Sequence, residues 1–230
     1  MNRYKGPGLI VYGGAFDPPH QGHVDCVEAA KSIFPDSKIM VFPGYQPAGA
    51  EGLHKTPDAS FQDRMALAKV AFEHGDNSGV EVADTESALP SPNYSYQTLQ
   101  HLRRCFPGER LGIMIGLDQW KAFYRWRDPK KILMGHDVIV VRRDSKESIV
   151  EISDQIAAEL GFRIQWSSDH QVGEIVTTSS RIFMLNIETV CAASSEIKFR
   201  LAKQNPLPKG WLPGAVRDII ETRGLYKEGL

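Results

Sequence analysis

From Leu9 to Leu225 the chain alternates short unbroken apolar runs with longer stretches in which apolar residues recur every three or four positions. An unbroken run bounded by turn residues fits a strand buried on both faces, and strands of that kind belong to parallel sheets. Leu9-Ile10-Val11-Tyr12 is the first such run and stops at Gly13-Gly14. Val24, Val27, Ala30, Ile33 and Phe34 then recur at helical spacing, and after a turn at Pro35-Asp36 a second run follows, Lys38-Ile39-Met40-Val41-Phe42. This opening predicts a strand, helix and parallel strand.

The pattern continues. Residues 45–58 carry Gly, Pro and Ala without periodicity and predict a long loop, the kind of segment that often carries function. A helix is expected over 61–74, a strand over 80–82, a helix over 96–106, and strands over 111–115 and 137–141. A helix over 149–160 and strands over 162–166 and 182–187 follow, whereas the polar, β-rich stretch 167–180 predicts no definite element. Ser194-Ser195 reads as the cap of a helix running to Ala202, and a last helix is expected over 213–222, with Pro213 inside its start and Gly224 after its end. Strands alternating with amphipathic helices predict a doubly wound α/β sheet with helices on both faces and a helical extension at its C-terminal side. The expected organisation is a single domain over 1–230, with the α/β core at 8–190 and the helical part at 191–230.

Composition narrows the function classes. The 230 residues are 42% hydrophobic and 24% charged, with a formal net charge of -1. That balance argues against a protein whose main partner is duplex nucleic acid, because phosphate-backbone binding relies on surplus Lys and Arg. Cys26, Cys105 and Cys191 stand far apart, outside any paired spacing, so neither a disulfide framework nor a cysteine zinc site is expected. The N-terminal apolar run is too short for a signal peptide or a membrane span, so a cytoplasmic protein is expected.

The candidate chemistry starts where the first strand meets the first helix. Gly13 and Gly14 leave room for a phosphate or ribose, and the following helix N-terminus presents free amides to an anion. His20 and His23 lie three apart, on one face if the helix has begun, with Gly22 between them. Next to a triphosphate their protonated forms are favoured, and each would donate to phosphate oxygens as charge develops. A metal pair is the competing reading, and it lacks an evident third ligand. Asp17 before Pro18 reads as a loop-fixing carboxylate rather than a base.

Taken together, Gly13-Gly14-Ala15-Phe16-Asp17-Pro18-Pro19-His20-Gln21-Gly22-His23 resembles the GGxFDPxHxGH signature of the nucleotidyltransferase superfamily, in particular of bacterial nicotinate-nucleotide adenylyltransferases. Further segments resemble that family in its own order. Leu53-His54-Lys55 is similar to its PHK element, with Leu53 for the usual proline, which implies that Lys55 reaches the triphosphate. Asn93-Tyr94-Ser95-Tyr96-Gln97-Thr98-Leu99 resembles SYTxxTL, with Ser95 for threonine, and implies acceptor contacts from Tyr94 and Ser95. By local physics alone Ser95 is a helix cap. Gly116-Leu117-Asp118 with Phe123 and Trp126 resembles GxDxxxxFxxW. A carboxylate there suits a ribose diol and a ring suits a pyridine, which makes Asp118 and Trp126 candidates, with Trp120 as a rival for stacking and Phe123 as core. Ser194-Ser195-Glu196-Ile197-Lys198 resembles SSTxIR with Lys198 in place of arginine, which keeps the charge and loses bidentate geometry. Residues 211–226 resemble the family's closing helix, a structural element.

The resemblance implies transfer of adenylate from ATP to nicotinate mononucleotide, giving nicotinate adenine dinucleotide and pyrophosphate, with magnesium on the ATP phosphates and no dedicated metal cage. His20, His23, Lys55 and Lys198 are the implied catalytic groups. Gly13, Gly14, Ala15, Phe16, Gly116, Asp118, Ser194 and Ser195 join His20, His23 and Lys198 as implied ATP ligands, and Tyr94, Ser95 and Trp126 would hold the acceptor. The implied partners are these small molecules, not nucleic acid or membrane, with a homo-oligomer left open. Nicotinamide mononucleotide or phosphopantetheine as acceptor, a non-catalytic nucleotide sensor, and an RNA-aminoacylating enzyme are the alternatives; the last would need a second domain and a basic surface.

Overall fold

A computed structural model describes residues 5–46, 56–73, 79–143, 147–190 and 192–227. In chain order the elements are β1 (Leu9–Gly14), α1 (Gln21–Ile33), β2 (Lys38–Pro43), α2 (Phe61–Phe72), β3 (Val80–Val82), a 3-10 turn (Thr85–Ala88) and α3 (Ser95–Cys105). Then come β4 (Leu111–Gly116), α4 (Leu117–Lys121), a second 3-10 turn (Phe123–Arg125), α5 (Pro129–Gly135), β5 (Asp137–Arg143) and α6 (Ile149–Glu159). The last are β6 (Ile164–Trp166), β7 (Val172–Ile175), β8 (Arg181–Ile187), α7 (Ser194–Ala202) and α8 (Gly214–Arg223).

The strands form one sheet in the order β3-β2-β1-β4-β5-β8-β7-β6. The stretch from β3 to β8 is parallel throughout, and β6 and β7 form an antiparallel hairpin on the β8 side. Alternate residues of a strand face opposite sides. Thus Ile10 and Tyr12 join the cluster built with Val24, Leu67, Ile197 and Val216 of α1, α2, α7 and α8. Leu9 and Val11 join the other, with Leu99, Trp120, Ile132 and Ile156 of α3 to α6. Burial of each aliphatic side chain in these layers contributes about 1.5–3 kcal/mol, which explains why β1 is apolar at every position up to its glycines. This is the expected doubly wound sheet with helices on both faces. Among the described residues no helix is long and apolar enough to cross a membrane.

The topology fixes where a ligand can enter. Strand β1 pairs with β2 on one side and with β4 on the other, so chain progression reverses between β1 and β4. At such a switch point the connections leave in opposite directions and open a crevice at the carboxyl ends of the strands. The glycines ending β1 and Gly116 ending β4 both lie there. The opposite end of the sheet is closed by charge: buried Asp137, at the start of β5, accepts from Arg110 at 2.6 and 2.8 Å and from the Arg181 amide at 2.8 Å.

Local departures have local causes. The stretch without a definite expected element contains β7, whose Gly173 interrupts its apolar run but admits the Ile164 and Trp166 side chains of β6. Helix α5 is too short to display a repeat, and it begins at Pro129, which suits a first helical position. Helix α8 starts one residue late, with Pro213 as its cap, and ends at Gly224, whose φ of 64° is left-handed.

Candidate active site

The turn after β1 is shaped by its own ring. Phe16 adopts a left-handed φ of 48°, which folds its side chain back beneath Gly14. A Cβ on Gly14 would lie 2.9 Å from that ring, whereas one on Gly13 would meet nothing within 4 Å. Gly13 therefore leaves open space at the crevice, while Gly14 serves the internal packing, a division the sequence reading did not draw. The Phe16 side chain, expected among the ATP ligands, is 2% exposed and packs edge-on against Tyr12, Phe72 and His23. Only its main chain can face a ligand. Ala15 is exposed.

Below the turn lies a network around Asp17, which is 4% exposed. One carboxylate oxygen accepts from the Ala59 amide at 3.1 Å and the Tyr226 hydroxyl at 2.9 Å. The other accepts from the Asp58 amide at 2.9 Å and from Lys198 Nζ at 2.7 Å. Burial pushes this carboxyl up, but these donors overcome it and hold it below the usual range. The expected loop-fixing role of Asp17 fits this geometry. Lys198, expected on the triphosphate, is instead held here, 2.8 Å from Asp58 as well. Reaching a phosphate would require it to leave both carboxylates.

Arg64 is a second anchor. It is 2% exposed and donates to the Ala15 carbonyl at 2.9 Å and the Gly44 carbonyl at 2.8 Å, joining the turn after β1 to the end of β2. The sequence carried a sign of it: position 64 falls on the face that buries Leu67, Ala68 and Ala71, where an arginine needs partners.

His20 and His23 come together at the start of α1. Their rings stack with centroids 3.8 Å apart and planes 28° apart. His20 caps the helix in extended backbone, and His23 Nδ1 accepts its amide at 3.2 Å. That bond leaves the neutral ring's proton on Nε2 of His23. Burial, followed by the Arg143 charge, lowers the His20 pKa to about 4. Burial, then His20 and Arg143, pushes His23 well down too. Without a ligand both rings are neutral, so protonation must be induced by an anion. Gly22 has a tight place here: a Cβ would lie 3.1 Å from the His20 ring and 3.2 Å from Arg143 Nη1.

Arg143 is the residue that sequence reasoning missed. It ends β5, is half-buried, and places its guanidinium against both Gly22 and Gly116. Among the described residues it forms no ion pair. A lone arginine after an apolar strand carries no linear signal; only the pairing of β5 with β4 brings it to the histidines. Asp118 is exposed in the first turn of α4, and its carboxylate lies over Gly116, where a Cβ would be 2.6 Å away.

Two further segments border the crevice. Ser194, expected as a cap, is the first residue of α7, behind Ala193, and donates to the Pro18 carbonyl at 2.9 Å; Ser195 beside it is exposed. Ser95 is likewise the first residue of α3, with Tyr94 as cap, whose amide donates to Gln97 Oε1 at 3.1 Å. In both cases the cap lies one residue earlier than local propensity predicts. Asn93 secures the start of α3 by accepting the Gln46 amide at 2.9 Å and donating to the Glu86 carbonyl at 3.0 Å. Trp120 is fully buried and donates to Ser153 Oγ at 3.0 Å, so it is core rather than a rival for stacking. Trp126 is half-buried, 5.3 Å from the Phe123 ring. Lys55 lies outside the described residues.

The cytidylyltransferase-like family model matches residues 11–198. A probable nicotinate-nucleotide adenylyltransferase of Chlorobium luteolum is 27% identical over 96% of this chain and 98% of its own length. One from Aquifex aeolicus is 33% identical over 66% of this chain and 87% of its own. Among solved structures, a Plasmodium falciparum nicotinic acid mononucleotide adenylyltransferase complexed with NaAD superposes with a TM-score of 0.71 at 17% identity, covering 96% of this chain and 98% of that one. At that identity the superposition concerns the fold.

Proposed function

This chain belongs to the cytidylyltransferase-like family, and from that premise we infer an enzyme that transfers adenylate from ATP to nicotinate mononucleotide, releasing pyrophosphate and forming the dinucleotide precursor of NAD. The single observation that carries the site assignment is the stacked His20–His23 pair beside Arg143, which has no ion pair among the described residues, at the β1/β4 switch point.

The acceptor phosphate is already anionic near neutral pH, so no general base is required. One of its oxygens bonds to the α-phosphorus of ATP as the bond from that phosphorus to the bridging oxygen breaks, and pyrophosphate leaves with the electron pair. The protein's contribution is alignment and charge stabilisation. His23 offers Nε2–H to the triphosphate, and Arg143 supplies a fixed positive charge. His20 stacks on His23 and becomes protonated only when the polyanion offsets its burial. Lys55 is the further cation that the family motif brings to the phosphates. Lys198 acts through Asp17, holding the turn that carries the histidines. Gly13 and Ala15 line the nucleotide side with Gly116, Asp118 faces a ribose diol, and Ser194 and Ser195 present the N-terminus of α7. Tyr94, Ser95 and Trp126 receive the acceptor.

Magnesium enters with ATP as part of the substrate and adds positive charge to the phosphates. Among the described residues no cluster of three or more His, Cys, Asp or Glu is arranged to hold a metal.

The test is pyrophosphate release with ATP and magnesium against nicotinate mononucleotide, nicotinamide mononucleotide and phosphopantetheine in parallel. The highest kcat/KM is expected with nicotinate mononucleotide. Turnover confined to phosphopantetheine, or none with any acceptor, would overturn the reading.

A further inference from the structure

The mononucleotide's pyridine ring can carry a carboxylate or an amide, and the two differ by one negative charge. Discriminating them calls for a cation within reach of the ring substituent. The two segments assigned to the acceptor, one leading into α3 and one following β4, are joined by such cations. Arg127, directly after Trp126, holds its guanidinium 6.0 Å from the centre of the Tyr94 ring. Lys131 on α5 stands 4.8 Å over the Tyr96 ring.

The neighbouring cations are occupied in ways that Arg127 is not. Arg125 donates to the Tyr124 hydroxyl at 2.9 Å and covers that same ring, and Lys131 pairs with Asp128 at 3.1 Å. Among the described residues the one ion pair of Arg127 is a long 3.9 Å approach to Asp128, and its side chain is 69% exposed. Its guanidinium therefore lies beside Tyr94 and is carried by the residue that directly follows Trp126, the two aromatic positions that would bracket a pyridine. A planar guanidinium also matches a carboxylate with two parallel donors, a geometry an uncharged amide cannot accept equally well.

We propose that Arg127 determines specificity for the acid acceptor, its guanidinium pairing with the carboxylate on the pyridine ring of a substrate stacked against Trp126. This rests on the mononucleotide reading of the site. The consequence is asymmetric: removing the guanidinium acts on the charged acceptor far more than on the neutral one.

The experiment compares wild type, Arg127→Ala and Arg127→Lys with nicotinate and nicotinamide mononucleotides as varied acceptors at saturating ATP and magnesium. In Arg127→Ala the ratio of kcat/KM for acid over amide is expected to fall about tenfold to a hundredfold, through KM of the acid rather than kcat. Arg127→Lys keeps the charge and loses the two-pronged geometry, so it should recover part of the ratio. An unchanged ratio in Arg127→Ala, or equal losses on both acceptors, overturns the assignment while leaving the adenylyl-transfer reading intact. Wild-type protein that turns over neither acceptor overturns that reading itself, and the role of Arg127 with it.

Discussion

The turn after β1 and the strip after β4 face the same crevice and are built on opposite plans. In the turn, Asp17, His20 and the Phe16 ring are almost wholly buried; Asp17 and Phe16 are held by groups far away in sequence, and His20 stacks on His23. In the strip, Asp118, Tyr124 and Arg127 are exposed and Trp126 is half-buried, with support largely from sequence neighbours. The difference teaches a division of labour. A triphosphate carries several charges that must be aligned to within a fraction of an ångström, which favours groups fixed in advance. An acceptor recognised by stacking and one charge can be met by side chains that settle around it.

The contrast is broken most severely at the rigid end. His23→Ala should lower kcat by about a thousandfold while circular dichroism and melting stay close to wild type, because a donor to the transition state is lost without a core side chain. Near-normal turnover would take the histidines out of the chemistry.

Asp17→Ala tests whether the network is a footing. Removing the carboxylate leaves the Tyr226 hydroxyl and two amides without their acceptor and frees Lys198 from one of two partners, so stability should drop by about 2–3 kcal/mol in a urea titration. Lys198→Ala should reproduce part of that loss. An Asp17→Ala protein as stable as wild type would mean the network is incidental.

The pliant end predicts a smaller and more selective change. Trp126→Ala should raise the acceptor's KM by about tenfold to thirtyfold and leave that of ATP within about twofold. Equal rises for both would make the ring a core element and erase the distinction.

The smallest effect concerns pH. His20 and His136 are both buried, and that burial, with Arg143 near one and Arg103 near the other, lowers each to about 4 from 6.5. The unfolded chain binds the extra protons first as the pH falls, so stability declines between about 6.5 and about 4. His136→Gln, far from the crevice, should flatten that slope in thermal melts without altering the pH profile of turnover. A slope unchanged in this variant would deny His136 its share.

How much of this was legible in the sequence follows the same division. The sheet was readable because β1, β2, β4 and β5 are buried on both faces and therefore apolar without a break. The turn was readable because its glycines, Asp17 and both histidines fall within one short segment. Arg143 was not, since its place depends on the pairing of β5 with β4 over a hundred residues later. Neither was the partner of Lys198, which lies 181 positions away. Helix α5 and strand β7 escaped because seven and four residues are too few to show a period.

The supports of the turn after β1 come largely from beyond residue 190: Ser194, Lys198 and Tyr226 bond to it, and the Trp211 carbonyl receives the Gln21 amide at 2.9 Å. A ribosome makes the nucleotide loop well before its foundation, Tyr226 lying 209 positions after Asp17. A nascent chain halted before Tyr226 would expose the histidine motif on an unfinished base, so competence for nucleotide should arise only once Tyr226 has emerged rather than as soon as the motif does.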